Sequence, residues 1–125
     1  MLNREQIFEY AFKRYGTKPE YLWEKTPDAA VLRHNDNRKW YAVIMSVRGD
    51  RLGLSSDKAT DVLSLKCDPI MIGSLIEKKG FMRAYHMNKE KWISVLPENV
   101  EENEDVYTLL DMSFELTGIK SLSTT

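Results

Sequence analysis

The sequence predicts an α+β domain, a mostly antiparallel sheet of hairpins packed with about three helices. Three observations predict it. Helical and strand-like patterns follow one another as helix, strands, helix, strands, helix. The strand-like stretches alternate with a period of two, as half-buried strands do. Clusters such as Asn35-Asp36-Asn37-Arg38 and Ser55-Ser56-Asp57-Lys58 supply turns between them. The 125 residues, 42% of them hydrophobic and 30% charged, suit one domain with one core, expected over residues 1–118. Residues 119–125 are expected to fray as a tail.

The elements follow in order. Asn3 is a candidate N-cap, and Ile7, Phe8, Ala11, Phe12 and Tyr15 recur at helical spacing until Gly16. Thr17 to Asp28, with Pro19 and Pro27, is a connector. Ala29 to His34 alternates weakly as a strand. Lys39 to Val47 is the clearest strand of the first half, and simple alternation puts Tyr41, Val43, Met45 and Val47 on one face and Trp40, Ala42, Ile44 and Ser46 on the other. Both faces are apolar, so a central position is expected. Arg48-Gly49-Asp50 reads as a turn rather than an adhesion motif, and Arg51 to Leu54 as a short strand. Asp61 to Cys67 is another strand, with Leu63, Leu65 and Cys67 on one face.

Asp68-Pro69 opens the second helix, because Asp at N-cap and Pro at the first helical position is the favoured order. Ile72, Leu75 and Ile76 give its apolar side, Lys78 and Lys79 its last turn, and Gly80 its end. Phe81 to Leu96 reads as two strands around a short polar turn of Asn88, Lys89, Glu90 and Lys91. Alternation assigns Phe81, Arg83, Tyr85 and Met87 to one face of that hairpin. After a linker, Glu104 and Asp105 open a last helix with Val106, Leu109, Leu110, Ser113 and Phe114 along its buried stripe, ended by Gly118.

Composition narrows the function. The net charge of -1 gives no global attraction to polyanions. Charge is nonetheless uneven: residues 66–96 hold six Lys or Arg against three acids, and residues 97–125 one against seven. No apolar run is long enough for a bilayer and no signal peptide is visible, so a cytoplasmic location is expected, with no membrane association. Cys67 is the only cysteine; with His34 and His86 it makes no metal-ligand spacing. A Cys67–His86 nucleophile pair is conceivable, but Cys67 lies on the apolar face of its strand and reads as a small buried hydrophobe. Neither catalysis nor a cofactor is expected. What remains is a binding constellation: Lys39, Trp40, Lys66, Arg83, His86, Asn88, Lys89, Lys91 and Trp92, the cations, amide and aromatics that contact phosphates and stack on bases.

The wording of several stretches carries a resemblance. Ala84-Tyr85-His86-Met87-Asn88-Lys89 with Trp92, Leu65-Lys66-Cys67-Asp68-Pro69, Lys39-Trp40-Tyr41-Ala42, Ser94-Val95 and Leu110-Asp111-Met112-Ser113-Phe114 together resemble the MmcQ/YjbR-like family. Thr17 to Asp28 departs from it by lacking a Gly-rich run. The resemblance implies a compact α+β fold with a double-wing architecture, in which hairpins are wings. It also implies a DNA-binding role, a description that rests largely on fold similarity. DNA is thus the expected partner, held by its phosphates with little sequence specificity. Two alternatives stand beside it: a protein-interaction module using the acidic C-terminal region, and a pocket around Tyr85, His86, Lys66 and Asn88 for a small anion.

Overall fold

The computed structural model describes residues 2–118; the tail expected over residues 119–125 lies outside them. Helix α1 (Arg4–Tyr15) starts with a capping box. The Asn3 side chain accepts from the Gln6 N–H at 2.9 Å, and the Gln6 side chain accepts from the Asn3 N–H at 3.0 Å. Gly16, in the left-handed region at φ 71°, closes it. Strands β1 (Ala30–Arg33), β2 (Trp40–Arg48), β3 (Ala59–Lys66), β4 (Phe81–Arg83) and β5 (Trp92–Val95) form one antiparallel sheet in the order β1-β2-β3-β5-β4. The short helix α2 (Pro69–Leu75) links β3 to β4, and α3 (Asn103–Thr117) follows β5. The α+β, antiparallel, three-helix expectation therefore holds, with β2 inside the sheet. No helix among the described residues is long and apolar enough to cross a membrane.

The helices cover one face of the sheet. Leu32, Ala42, Ile44, Leu63, Leu65, Ile93 and Val95 meet Ile7, Ala11, Val106, Leu109 and Leu110 there, all buried. Each fully buried Val, Leu or Ile side chain of this set contributes about 1.5–3 kcal/mol. The opposite face is also covered. Val47, Val62 and Leu96 are buried beneath Met45, Leu52, Leu54, Met82 and Tyr85. At its centre the buried Ser64 and Ser94 hydroxyls share a 2.8 Å hydrogen bond, and Ser94 Oγ accepts from the Tyr85 N–H at 2.8 Å. That last bond fastens the segment after β4 back across the sheet.

Four local expectations change. Between β1 and β2 the register moves from Leu32↔Ala42 to Arg33↔Trp40, so Tyr41 is the extra residue of a β-bulge. Its ring turns to the helix side, edge-on to Tyr15 at 5.7 Å and Phe114 at 5.0 Å, while Trp40 keeps to the other face. Simple alternation had placed them the other way round. Second, Gly49–Leu52 is a turn of 3-10 helix, not the start of a strand at Arg51. Third, α2 ends at Leu75, leaving Lys78 and Lys79 in the turn beyond it, where Lys78 Nζ reaches Asp105 at 2.8 Å. Fourth, β4 stops at Arg83, so residues 84–91 form a wide loop rather than a tight turn, and Tyr85 no longer shares the face of Phe81 and Arg83.

The bulge has a partner on α3. The β2–β3 ladder runs from Arg48↔Ala59 to Ala42↔Leu65 and ends there. One step further the buried Ser113 hydroxyl fills the gap. It accepts from the Lys66 N–H at 2.8 Å and donates to the Tyr41 carbonyl at 2.5 Å.

Gly80 marks the entry to β4 at φ 89°, and its carbonyl accepts from the Leu96 N–H at 2.7 Å. A Cβ there would lie 2.9 Å from the Val100 backbone nitrogen, whereas one at Gly53, also at positive φ, meets nothing. Gly80→Ala is expected to cost about 2 kcal/mol or more and Gly53→Ala about 1 kcal/mol, since only the first adds a backbone clash to the left-handed conformation. Urea midpoints of the two variants check the order; equal losses would remove the clash from the account.

Candidate functional site

The strand register decides where the nine candidate residues lie. Arg33↔Trp40, Ala42↔Leu65, Lys66↔Trp92 and Arg83↔Ile93 are the pairs at one end of the sheet. The start of β2, the end of β3, the start of β5 and the end of β4 therefore lie side by side. Lys39-Trp40, Lys66, Arg83 and Lys91-Trp92 are gathered there from separate parts of the chain.

Within this end, Lys66 and Trp92 are direct cross-strand partners on the face away from the helices. The Lys66 ammonium sits 5.9 Å from the centre of the Trp92 ring, a cation–π contact. Trp40 lies on the same face, half-buried and edge-on to Trp23 at 5.6 Å. Lys39 is exposed, its backbone N–H held by Asn37 Oδ1 at 2.8 Å and its carbonyl by the His34 N–H at 3.0 Å. Arg83 faces the other way. With Lys89, Glu90, Pro69 and Gly73 it lines an open cleft of about 340 Å³ beside α2. Among the described residues no carboxylate comes within ion-pair distance of Lys39, Lys66, Arg83, Lys89 or Lys91. By contrast, Arg4, Arg14, Arg33, Arg38, Arg48 and Lys78 are all paired.

Asn88 works inside the loop. Its side-chain oxygen accepts from the Glu90 N–H at 2.8 Å and its carbonyl from the Trp92 N–H at 2.9 Å. It shapes the chain between Lys89 and Lys91 as an Asx turn does. His86 stands apart from the group. It adopts φ 59°, its ring lies 4.1 Å from that of Tyr85, and it lines a different cleft with Met45, Arg48 and Arg51. Cys67 is buried in the helix-side core, and burial, with Asp68 adding to it, raises its thiol above the ordinary range. It and His86 thus belong to opposite faces of the sheet, and no nucleophile–base pair is assembled between them.

One cluster escaped the reading of the sequence. Asp111 on α3 accepts from the Tyr10 hydroxyl at 2.9 Å, from Arg14 Nε at 2.9 Å and from the Tyr15 hydroxyl, all on α1. Tyr10 stacks on Tyr107 at 4.2 Å and Tyr15 on Phe114 at 4.0 Å. Burial first, and the Asp111 hydrogen bond second, hold both phenols above their usual range. The cluster ties α1 to α3 through three donors that converge on one carboxylate. The available signal was Tyr10 and Arg14 one helical turn apart, facing a lone acid in an otherwise apolar stripe. A second tie joins α1 to the sheet: Arg4 grips Asp61 through two bonds of 2.6 and 3.0 Å, and Asp61, then the Asp28 charge, raise its guanidinium.

The comparisons with known proteins agree with this fold. Residues 13–116 match the family model described as YjbR. The chain is 44% identical over 117 residues to the uncharacterized protein YyaQ of Bacillus subtilis, covering 94% of this chain and 99% of that one. A crystal structure of a Pseudomonas syringae protein is 47% identical and superposes with a TM-score of 0.90 over 94% of this chain and all of that one. Deinococcus radiodurans protein DR2400, at 18% identity, shares the fold with a TM-score of 0.68 over 93% of this chain and 78% of its own.

Proposed function

This chain belongs to the YjbR family, and from that premise we propose that it binds DNA through the phosphate backbone, with little sequence specificity. One observation carries the reading: cations without carboxylate partners and two tryptophans are brought by the register to one end of the sheet. An unpaired Lys or Arg can exchange its water for a phosphate without first breaking an ion pair. Lys66, Lys91 and Lys39 contact the backbone, Arg83 and Lys89 extend the contact onto the α2 flank, and Trp92 and Trp40 brace the strip or stack on a base. Asn88 holds the loop in shape, and His86 takes no part.

The test is fluorescence anisotropy of a labelled duplex over a salt series. Saturable binding is expected, with log affinity falling linearly against log salt at a slope of roughly -4 to -5, the signature of about five phosphate contacts. Lys89→Glu with Lys91→Glu is expected to flatten that slope by about 2 and to weaken binding by about 10–100-fold at low salt, with an unchanged melting temperature. No saturable binding at low salt, or an unaltered slope in the variant, would rule the strip out.

A second reading, a protein partner held by the acidic flank of α3, rests on Glu101, Glu102 and Glu104. All three are exposed, and among the described residues no cation pairs with them. A captured partner lost on neutralising these three would favour it.

A further inference from the structure

A second cleft lies where the 84–91 loop meets the end of β2, and the DNA-binding reading does not use it. The end of β2, the 3-10 turn that follows and the start of the 84–91 loop line an open cleft of about 450 Å³. That lies within the range of small-molecule sites. Its apolar side is Met45, Val47 and Tyr85, and its polar side is Arg48, Arg51 and His86.

Three features of these side chains point to one kind of ligand. Arg51 is exposed and has no carboxylate within ion-pair distance among the described residues, the Asp50 charge lying near it without a direct contact, so its guanidinium donors are open to a ligand beside the cleft. Arg48 is engaged, holding Asp50 at 2.8 Å and reaching Asp57 at 3.8 Å, so its charge is offset and Arg51 is the cation left for an anion. His86 is held at φ 59°, a conformation that costs a non-glycine residue about 1–2 kcal/mol. The Tyr85 N–H on Ser94 Oγ and the 4.1 Å ring contact between Tyr85 and His86 keep the imidazole on that wall. Thioether, valine and phenol surfaces opposite them accept a flat ring, with Met45 offering a sulfur–aromatic contact.

We infer that this cleft binds a small aromatic anion, a single ring carrying one carboxylate or phosphate. The ring packs against Met45, Val47 and Tyr85, and the acid group meets Arg51 and His86 in charge-assisted hydrogen bonds. Neither half suffices. An inorganic anion leaves the apolar wall unused, and a neutral ring leaves the Arg51 fork without a partner.

The probes are phenyl phosphate, benzoate, inorganic phosphate and benzyl alcohol, titrated by calorimetry into the full chain and followed by amide NMR shifts. Phenyl phosphate or benzoate is expected to bind one to one, at least about tenfold more tightly than inorganic phosphate or benzyl alcohol. The shifts are expected on Met45, Arg51, Tyr85 and His86. Arg51→Ala is expected to weaken the aromatic anion by about 10–100-fold, the loss of a charge-assisted bond, with the protein still folded by its NMR spectrum. His86→Gly, which relieves the backbone conformation and so is not expected to unfold the chain, is expected to weaken it by a smaller factor. Preference for phosphate over carboxylate, or the reverse, identifies the acid group. Equal affinity for all four probes, no binding, full affinity in Arg51→Ala, or shifts confined to Lys66, Lys89 and Lys91 would each overturn the assignment. The last outcome would place the anion on the basic strip instead.

Discussion

Ser113→Ala is expected to destabilise the protein by about 2–4 kcal/mol, a large share of the total for a domain this size. The side chain is small and the lost apolar area negligible, so the effect comes from polar groups. One hydroxyl serves the Lys66 N–H and the Tyr41 carbonyl together, where the β2–β3 ladder has already stopped. Removing it strands a donor and an acceptor at a buried helix–sheet junction, at about 1–3 kcal/mol for each group left unmade. The urea midpoint reports the loss. Hydrogen exchange at the Lys66 amide reports its cause, because that proton is expected to lose its protection ahead of the rest of β3. A midpoint within 0.5 kcal/mol of wild type, on the scale of an ordinary surface change, would mean that the ladder closes without Ser113.

The second large effect lies at high pH. Burial pushes the Tyr41 phenol up to about 12, with Thr17 offsetting part of the rise. Tyr15 is raised further, by burial and by Asp111. In the unfolded chain both ionise near 10. Between pH 10 and 12 the unfolded state has therefore released protons that the native state retains, and rising pH favours unfolding. Stability is nearly intact below pH 10 and falls by about 2 kcal/mol from Tyr41 alone by pH 12, the slope approaching 1.4 kcal/mol per unit between the two values. Tyr15 adds to the fall. Urea midpoints at pH 8 and pH 11.5, with tyrosinate absorbance followed alongside, measure it. Tyr41→Phe is expected to keep its neutral-pH stability and lose less at pH 11.5. Equal midpoints at the two pH values would mean that the phenols open to solvent without unfolding.

Much of this architecture was legible because local chemistry decided it. Asn3 with Gln6, Gly16, and Asp68 before Pro69 are end signals that act within one helical turn, and each sits where its side chain or φ requires. Ile93 and Val95 alternate against Trp92, Ser94 and Leu96 as read. The misreadings have one source, a partner distant in the chain. The side of Tyr41 depends on its register with Leu32 and Arg33. The length of β4 depends on Tyr85 being drawn to Ser94. Asp111 received no role from the sequence because its three partners lie on α1. The nine candidate residues were chosen by type, and type cannot tell which strand ends are neighbours. Register gathered most of them, while His86, outside every ladder, lines a separate cleft with the end of β2.

Glu20 has a consequence beyond its own contacts. Its backbone pairs with Val31 on the outer side of β1 through two bonds, of 3.0 and 2.9 Å. Its carboxylate, held mainly by Arg33 and also by Arg38, lies below the usual range. A boundary strand normally offers a row of bare amides to any other extended chain. Here that row is interrupted at its middle by one residue that guanidinium groups fix in place. At the far boundary β4 is three residues long, too short to template an addition. Both boundaries of the sheet are thus blunted against strand addition without the sheet curling into a barrel.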